Sequence, residues 1–276
     1  MDQLHPLKAQ KRTWHPSSFI WLSLVIHVLV VGYLALRPKE WPLALEVLAF
    51  NHLMLTALGL WPKSTLLGPN RLRLPLQKGQ PKRVALTFDD GPDPLVTPRI
   101  LDLLDASSAT ATFFLIGDQA LKYPELVREI LARGHTIGNH SQQHRLGFAC
   151  SSVEGFIKEV GEAQASMMSL TGQQPRFFRA PFGIRSPLLE PALCKLGLHL
   201  VSWTRRGYDT RERHPQKVLG RLLRGLNDGD ILLLHDGHSA TSDNQQPVVL
   251  EVLPILLKHL QDDGYQSVGL DEGIPP

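Results

Sequence analysis

Cysteine is nearly missing from this chain. Cys150 and Cys194 are the only two in 276 residues, and neither belongs to a C-x-x-C or any other clustered spacing. A disulfide-rich framework is therefore excluded, and the chain is long enough to close a core by apolar burial alone. Free thiols are the favoured state, with a single bridge between the two still open, so cysteine usage leaves the compartment undecided. Charge of one sign is also scarce. The formal net charge is +3, and the basic residues are scattered without a stripe that interleaves aromatics. That pattern argues against a nucleic-acid partner. No internal repeat or low-complexity segment stands out, and length alone allows one large domain or two modest ones.

Long apolar runs occur near the N-terminal end. Phe19–Leu36 is interrupted only by Ser23, His27, Gly32 and Tyr33, and it follows Lys8, Lys11 and Arg12. Its 18 residues sit at the lower edge of what spans roughly 30 Å of hydrocarbon. A signal peptide would need a small-x-small cleavage site, and Ala35-Leu36-Arg37 is a poor one. An uncleaved anchor is the expectation. Leu43–Leu60 is a weaker run that contains Glu46, Asn51 and His52, and Trp14, Trp41 and Trp61 flank the pair as interfacial tryptophans do. It reads as a second span, the alternative being an amphipathic helix that rests on the membrane or on the rest of the chain. Residues 1–61 are thus assigned to a membrane anchor of one or two transmembrane helices.

If both runs span, they form a hairpin bent near Pro38–Trp41. Lys8, Lys11 and Arg12 then share a side with Lys63, Arg71, Arg73, Lys78, Lys82 and Arg83, leaving only Arg37 and Lys39 in the connecting loop. The positive-inside rule would place both ends, and everything after them, in the cytoplasm. If only the first run spans, the remainder is exported. In a hairpin His27 falls near the depth of Asn51 and His52, where polar groups need a partner on the neighbouring helix. This leans the reading toward the hairpin, with His27 as a contact between helices.

Residues 62–82 are rich in Pro, Gly, Lys and Arg without apolar periodicity, which predicts a linker. From Arg83 onward short β-branched or apolar runs alternate with helical patterns. Strands are expected at Val84–Phe88, Ala111–Ile116, Thr136–Gly138, Phe177–Arg179, His199–Ser202, Asp230–Leu234 and Gln266–Leu270. Helices are expected at Pro98–Ala106, Pro124–Arg133, Val153–Leu170, Pro187–Leu196, Pro215–Leu226 and Val248–Asp262. About seven β-then-α units imply one α/β domain over 83–276 with a parallel sheet closed, or nearly closed, into a barrel. Chemistry in such folds gathers at the C-terminal ends of the strands.

Those ends carry an unusual set of side chains. The first strand runs into Asp89-Asp90-Gly91-Pro92, and the Gly-Pro turn offers a bend that brings both carboxylates to one place. The third leads to His140 and His144, four residues apart, a spacing that suits chelation from a helical turn or a tight loop. Arg179 and Phe182 follow the fourth, Trp203 and Asp209 the fifth, and Leu233 and His235 close the sixth. Each piece alone is weak, since Asp-Asp-Gly-Pro is usually a plain turn. Their convergence on one rim is not. His135 and His199 begin strands and read as structural, and His238 reads as a loop residue near substrate.

TFDDGP, HSQQH, RAPFG, the Trp203–Asp209 stretch and LLH, in this order, resemble the motifs of the NodB-like polysaccharide deacetylases, carbohydrate esterase family four. The resemblance covers about Arg83 to Leu270. It implies a distorted (β/α) barrel and hydrolysis of N-acetyl, or sometimes O-acetyl, groups on a sugar polymer or oligomer. By the same resemblance Asp89 is the general base, and Asp90, His140 and His144 are ligands of a divalent metal. Arg179 orients Asp89, His235 is the general acid tuned by Asp209, Leu233 lines the acetyl pocket, and the Phe182 N–H helps hold the oxyanion. The residues support this chemistry independently. A His-His-Asp set leaves positions open on zinc, and would also accept cobalt, nickel or iron.

One departure bears on the substrate. The family usually has a Trp directly after the aspartate of its fourth motif, and this chain has Thr210, preceded by Arg205, Arg206, Gly207 and Tyr208. A standard polymer groove is thereby put in doubt. The expected partners are a membrane and an acetylated carbohydrate, with a lipid-linked sugar, deacetylated or deformylated at the membrane face, as the alternative. A non-catalytic carbohydrate-binding pseudoenzyme is a third reading, which the intact motifs disfavour.

Overall fold

The computed structural model describes residues 12–76 and 79–274. Lys8, Lys11 and Lys78, used above in the charge argument, lie outside the described residues. The chain starts with α1 (Ser18–Leu36), whose first turn is capped by Ser17 Oγ accepting from the Ile20 N–H. A 3-10 turn at Pro38–Glu40 leads into α2 (Trp41–Leu60). Both helices are long and apolar enough to cross a membrane. They pack as an antiparallel pair, and the bond between them runs from Asn51 Nδ2 to Ser23 Oγ at 2.9 Å. His27 meets the His52 ring edge-on at 5.2 Å but hydrogen-bonds within its own helix, to the Ser23 carbonyl. The polar contact between helices is therefore made by Asn51, with His27 beside it.

Eight strands follow: β1 (Lys82–Asp89), β2 (Ala111–Leu115), β3 (Thr136–Asn139), β4 (Phe177–Phe178), β5 (His199–Leu200), β6 (Arg205–Arg206), β7 (Ile231–His235) and β8 (Tyr265–Ser267). Seven of them form a parallel path in the order β5-β4-β3-β2-β1-β7-β6, and β8 pairs with the start of β1. The helices that follow the anchor are α3 (Thr97–Ala106), α4 (Gly117–Lys122), α5 (Pro124–Ala132), α6 (Val153–Thr171), α7 (Leu189–Leu196), α8 (Pro215–Leu223), α9 (Val248–Asp262) and α10 (Leu270–Gly273). This is the expected distorted barrel, open between β5 and β6. Three differences are local. The two-residue β6 and the six-residue α4 were too short to show periodicity, and Leu270, expected in the last strand, begins α10 instead.

The pleat decides what faces the interior. Val84, Leu86 and Phe88 point out to the main helical layer, with Leu232 and Leu234 from β7 and Phe113 from β2. Ala85, Phe114, Phe177, Val201, Trp203, Ile231 and Leu233 fill the barrel. Successive side chains alternate across a strand, so Thr87 and Asp89 follow Ala85 inward, and His235 follows Leu233. Fully burying a side chain such as Phe114 contributes on the order of 1.5–3 kcal/mol, and here these residues also floor the site.

The segment expected to be a linker lies on the barrel. Arg71 N–H donates to the Leu200 carbonyl at 2.9 Å, the Ser202 N–H donates to the Arg71 carbonyl at 2.9 Å, and the Leu74 N–H donates to the Gly229 carbonyl at 2.8 Å. Leu67 and Leu74 are buried. Residues 71–74 thus run from the end of β5 to the start of β7, across the gap that the sheet leaves between β5 and β6. Arg185, itself buried, holds this segment by donating from Nη2 to the carbonyls of Ser64 (2.8 Å) and Gly68 (3.1 Å).

Candidate active site

β1 and β7 place the first pair. Asp89 is in register with His235 on the neighbouring strand, both facing the barrel mouth. Asp90 would point the opposite way in a regular strand. Its φ of 74° breaks the pleat and returns its carboxylate to the same side. Gly91 is then pressed against Asp236, whose Oδ2 stands 2.0 Å from where a Cβ would sit. No side chain fits there.

His140 and His144 come from the loop after β3, which turns through positive φ at Ser141 (67°) and His144 (51°). Buried polar atoms hold it: the Ser141 N–H donates to Asn139 Oδ1 at 2.9 Å, and the His144 N–H donates to Ser141 Oγ at 3.0 Å. His140 Nδ1 donates to the Arg179 carbonyl at 2.9 Å, which leaves the Nε2 lone pair facing the cleft. Both Nε2 atoms stand 3.3 Å from Asp90 Oδ1. The ligand atoms of Asp90, His140 and His144 all lie within 4.8 Å of one another.

This trio suits a divalent cation. Asp90 Oδ1 is buried and has no hydrogen-bond partner, a costly state for a carboxylate oxygen unless a cation meets it. Burial raises the Asp90 pKa, but the His140 and His238 imidazoles beside its carboxylate outweigh it and hold the carboxyl well below its usual range. His140 is deeply buried, which disfavours its charge, yet Asp89 and Asp90 raise its pKa. Negative charge at this spot exceeds what burial can suppress. His144 goes the other way, down to about 4, through burial and the nearby His140, and is a neutral donor at pH 7.

Two supporting pairs flank the trio. Arg179 Nη1 donates to Asp89 Oδ1 and to Thr87 Oγ1, each at 2.7 Å, and its guanidinium lies 4.1 Å from the Phe114 ring centre. On the other side His235 Nδ1 donates to Asp209 Oδ1 at 2.9 Å, while the His235 N–H donates to Asp209 Oδ2 at 2.8 Å. That bidentate hold fixes the tautomer and presents Nε2 to the cleft. Burial lowers the His235 pKa, but the Asp209 charge and hydrogen bond raise it above the ordinary imidazole value.

All nine residues singled out from sequence gather here. Asp89, Asp90, His140, His144, Phe182, Leu233 and His235 line one cleft of about 560 Å³, and Arg179 and Asp209 lie behind it. Phe182 sits in a 3-10 turn with φ 58°, its ring packed 4.6 Å from that of His144. Other residues gained weight from the structure. His238 Nδ1 comes to 3.4 Å of Asp90 Oδ2. Thr87 shares Arg179 with Asp89. Asp236 is wholly buried, and its pKa is pushed up to about 7 by that burial, against a hydrogen bond from Thr97. Arg206 and Arg211 also line the cleft. Of these, the sequence draws attention to His238, as a loop residue near substrate, and to Arg206, among the residues before Thr210. His135 is buried as expected, but neither of its ring nitrogens has a hydrogen-bond partner, and Cys150 and Cys194 are both free thiols.

Residues 77–201 match the sequence family described as polysaccharide deacetylase. The chain is 32% identical over 191 residues to a chitooligosaccharide deacetylase from a Bradyrhizobium species, covering 67% of this chain and 87% of that one. It is 33% identical over 192 residues to a peptidoglycan-N-acetylglucosamine deacetylase from Listeria monocytogenes, covering 69% of this chain but only 38% of the length of that relative. The solved peptidoglycan deacetylase PdaC of Bacillus subtilis superimposes with a TM-score of 0.63 at 29% identity, over 72% of this chain and 92% of that structure. With most of a relative's length matched at this identity, the chain belongs to the polysaccharide deacetylases, the NodB-like family four carbohydrate esterases.

Proposed function

We propose that this chain is a metal-dependent hydrolase that removes N-acetyl groups, or O-acetyl groups, from a carbohydrate. The observation that carries the reading is the trio of Asp90, His140 and His144, flanked by an arginine-held carboxylate and a carboxylate-held imidazole in one cleft. The names of the relatives agree in class, acting on chitooligosaccharide or peptidoglycan. Zinc is the first choice for a His-His-Asp donor set, with cobalt, nickel or iron also accommodated.

A cation held by the trio would polarise the acetyl carbonyl and acidify a water beside it. The chain's own residues do the rest. Asp89 takes the proton of the attacking water, and Arg179 holds it aimed. As the carbonyl carbon turns tetrahedral, the Phe182 N–H faces the developing oxyanion. Leu233 and Trp203 wall the methyl end. His235 Nε2 then gives a proton to the departing nitrogen, a step worth roughly 10²–10⁴ in rate. The amide carbon–nitrogen bond breaks, and the products are an amine and acetate.

The two N-terminal helices are assigned to the membrane, and the basic residues around them favour the cytoplasmic face for the catalytic part. Acetate release from N-acetylated chitooligosaccharides by the full chain tests the activity. Release that stops with chelator and returns with zinc is expected; release indifferent to chelator would remove the metal from the reading.

A further inference from the structure

The hydrolase reading leaves unexplained an arginine with no carboxylate. Arg206 lines the catalytic cleft, stacked between the Trp203 ring (5.4 Å) and the Tyr208 ring (5.0 Å). Its Nε is buried and has no hydrogen-bond partner, and no carboxylate pairs with it among the described residues. Its neighbour Arg205 is used up on Asp230 at 3.0 Å. Arg211, on the next turn, also lines the cleft. Tyr208, at φ 62°, shapes that turn, and its carbonyl accepts from the Arg211 N–H at 3.0 Å. Glu212 on the same turn is taken by Arg221 (3.0 Å) and His214 (2.8 Å). The remaining lining carboxylates are Asp89, Asp90 and Asp118. Arg179 holds the first, the second belongs to the metal trio, and Gln142 Nε2 donates to Asp118 Oδ1 at 2.7 Å. One wall of the cleft therefore offers two guanidinium groups that pair with no carboxylate among the described residues, each a flat fork suited to phosphate oxygens.

The same cleft abuts the hairpin. Gly183 lines it, and a Cβ there would lie 2.9 Å from Pro62 Cβ, two residues beyond the end of α2. The Arg185 N–H donates to the Gly59 carbonyl in the last turn of α2 at 3.1 Å. Trp61, directly after α2 and 56% exposed, stands where an interfacial tryptophan would sit if α2 spans a bilayer. Two apolar side chains of the cleft stay open to solvent, Leu146 at 89% and Phe182 at 43%.

We propose that the cleft takes an acylated amino sugar joined through a phosphate to a membrane-embedded lipid, with Arg206 and Arg211 receiving the phosphate while the lipid stays in the bilayer beside α2. This rests on the deacylase reading and names its substrate class. A carboxylate-bearing muropeptide would offer the arginines an anion without a lipid, and belongs in the same test.

The full chain is reconstituted in phosphatidylcholine vesicles with zinc, and acetate release is compared on four substrates: N-acetylglucosamine linked by pyrophosphate to a polyprenol, a neutral alkyl N-acetylglucosaminide, N-acetylglucosamine 1-phosphate and a muropeptide. The polyprenyl substrate should exceed each of the others in kcat/KM by at least about tenfold, the scale of one charge-assisted contact. Arg206→Gln should shrink its advantage over the neutral alkyl glycoside by about tenfold, and Arg206→Lys by less. Equal or faster turnover of the muropeptide or the soluble phosphate would overturn the proposal while leaving a deacetylase. An advantage unchanged in a folded Arg206→Gln, checked by its melting curve, would overturn the arginine's part. No acetate from any of the four, nor from the chitooligosaccharides of the activity test above, would sink the hydrolase reading itself.

Discussion

Arg179 Nη1 sits 2.7 Å from Asp89 Oδ1, and the two side chains are 1% and 5% exposed. An ion pair so deep in the barrel is held by everything around it: Thr87 Oγ1 accepts from the same nitrogen, and the carbonyls of Val201 and Ser202 accept from the rest of the guanidinium. Removing one partner of such a pair strands a buried charge, at a cost of about 3–5 kcal/mol.

Arg179→Met is therefore expected to lower both stability and turnover. Urea unfolding should show a loss of about 3–5 kcal/mol, and the double variant Arg179→Met/Asp89→Asn should recover part of it without recovering activity. A single variant as stable as the parent would mean that Asp89 does not depend on Arg179.

The alkaline side of the pH–rate profile belongs to His235. It must be protonated to serve the leaving nitrogen, and Asp209 raises its pKa, against burial. Activity should fall as pH rises through that raised value. In Asp209→Asn the charge is gone, the imidazole pKa drops, and the alkaline limb should move to lower pH along with a loss in kcat. An unmoved limb would take His235 out of the acid role.

Much of this was legible in the chain because the chemistry sits at strand ends. Asp89, Arg179 and His235 follow buried strand residues by simple alternation, so their inward direction could be read from the pleat. Alternation alone would turn Asp90 away; the Gly-Pro turn after it pointed to the bend, which the chain makes at Asp90 itself through a positive φ. The 62–76 segment was misleading for a related reason: its Pro and Gly content resembles a tether, yet single backbone bonds to Leu200 and Gly229 hold it on the barrel. Arg206 shows in the sequence only as one of the residues before Thr210; its role does not, because a two-residue strand has no periodicity and an arginine's missing counter-charge is a fact of three dimensions.

The side of the membrane can be checked with the protein's own thiols. Cys150 is exposed and Cys194 buried. With the catalytic part in the cytoplasm, an impermeant maleimide should label Cys150 only after the cells are permeabilised. Labelling of intact cells would place the cleft outside and reduce the anchor to one span.

Metal content measured alongside acetate release tests the account most directly. Asp90→Ala and His140→Ala should each lose the bound ion and the activity together, because Asp90 Oδ1 and the two imidazole nitrogens are the donors that face one another. Asp89→Asn should keep the ion, since Arg179 and not the trio holds that side chain, while turnover falls by roughly 10²–10⁴, the range for losing a general base. Retention of metal by Asp90→Ala, with its loss in Asp89→Asn, would contradict the assignment of the two carboxylates and with it the proposed site.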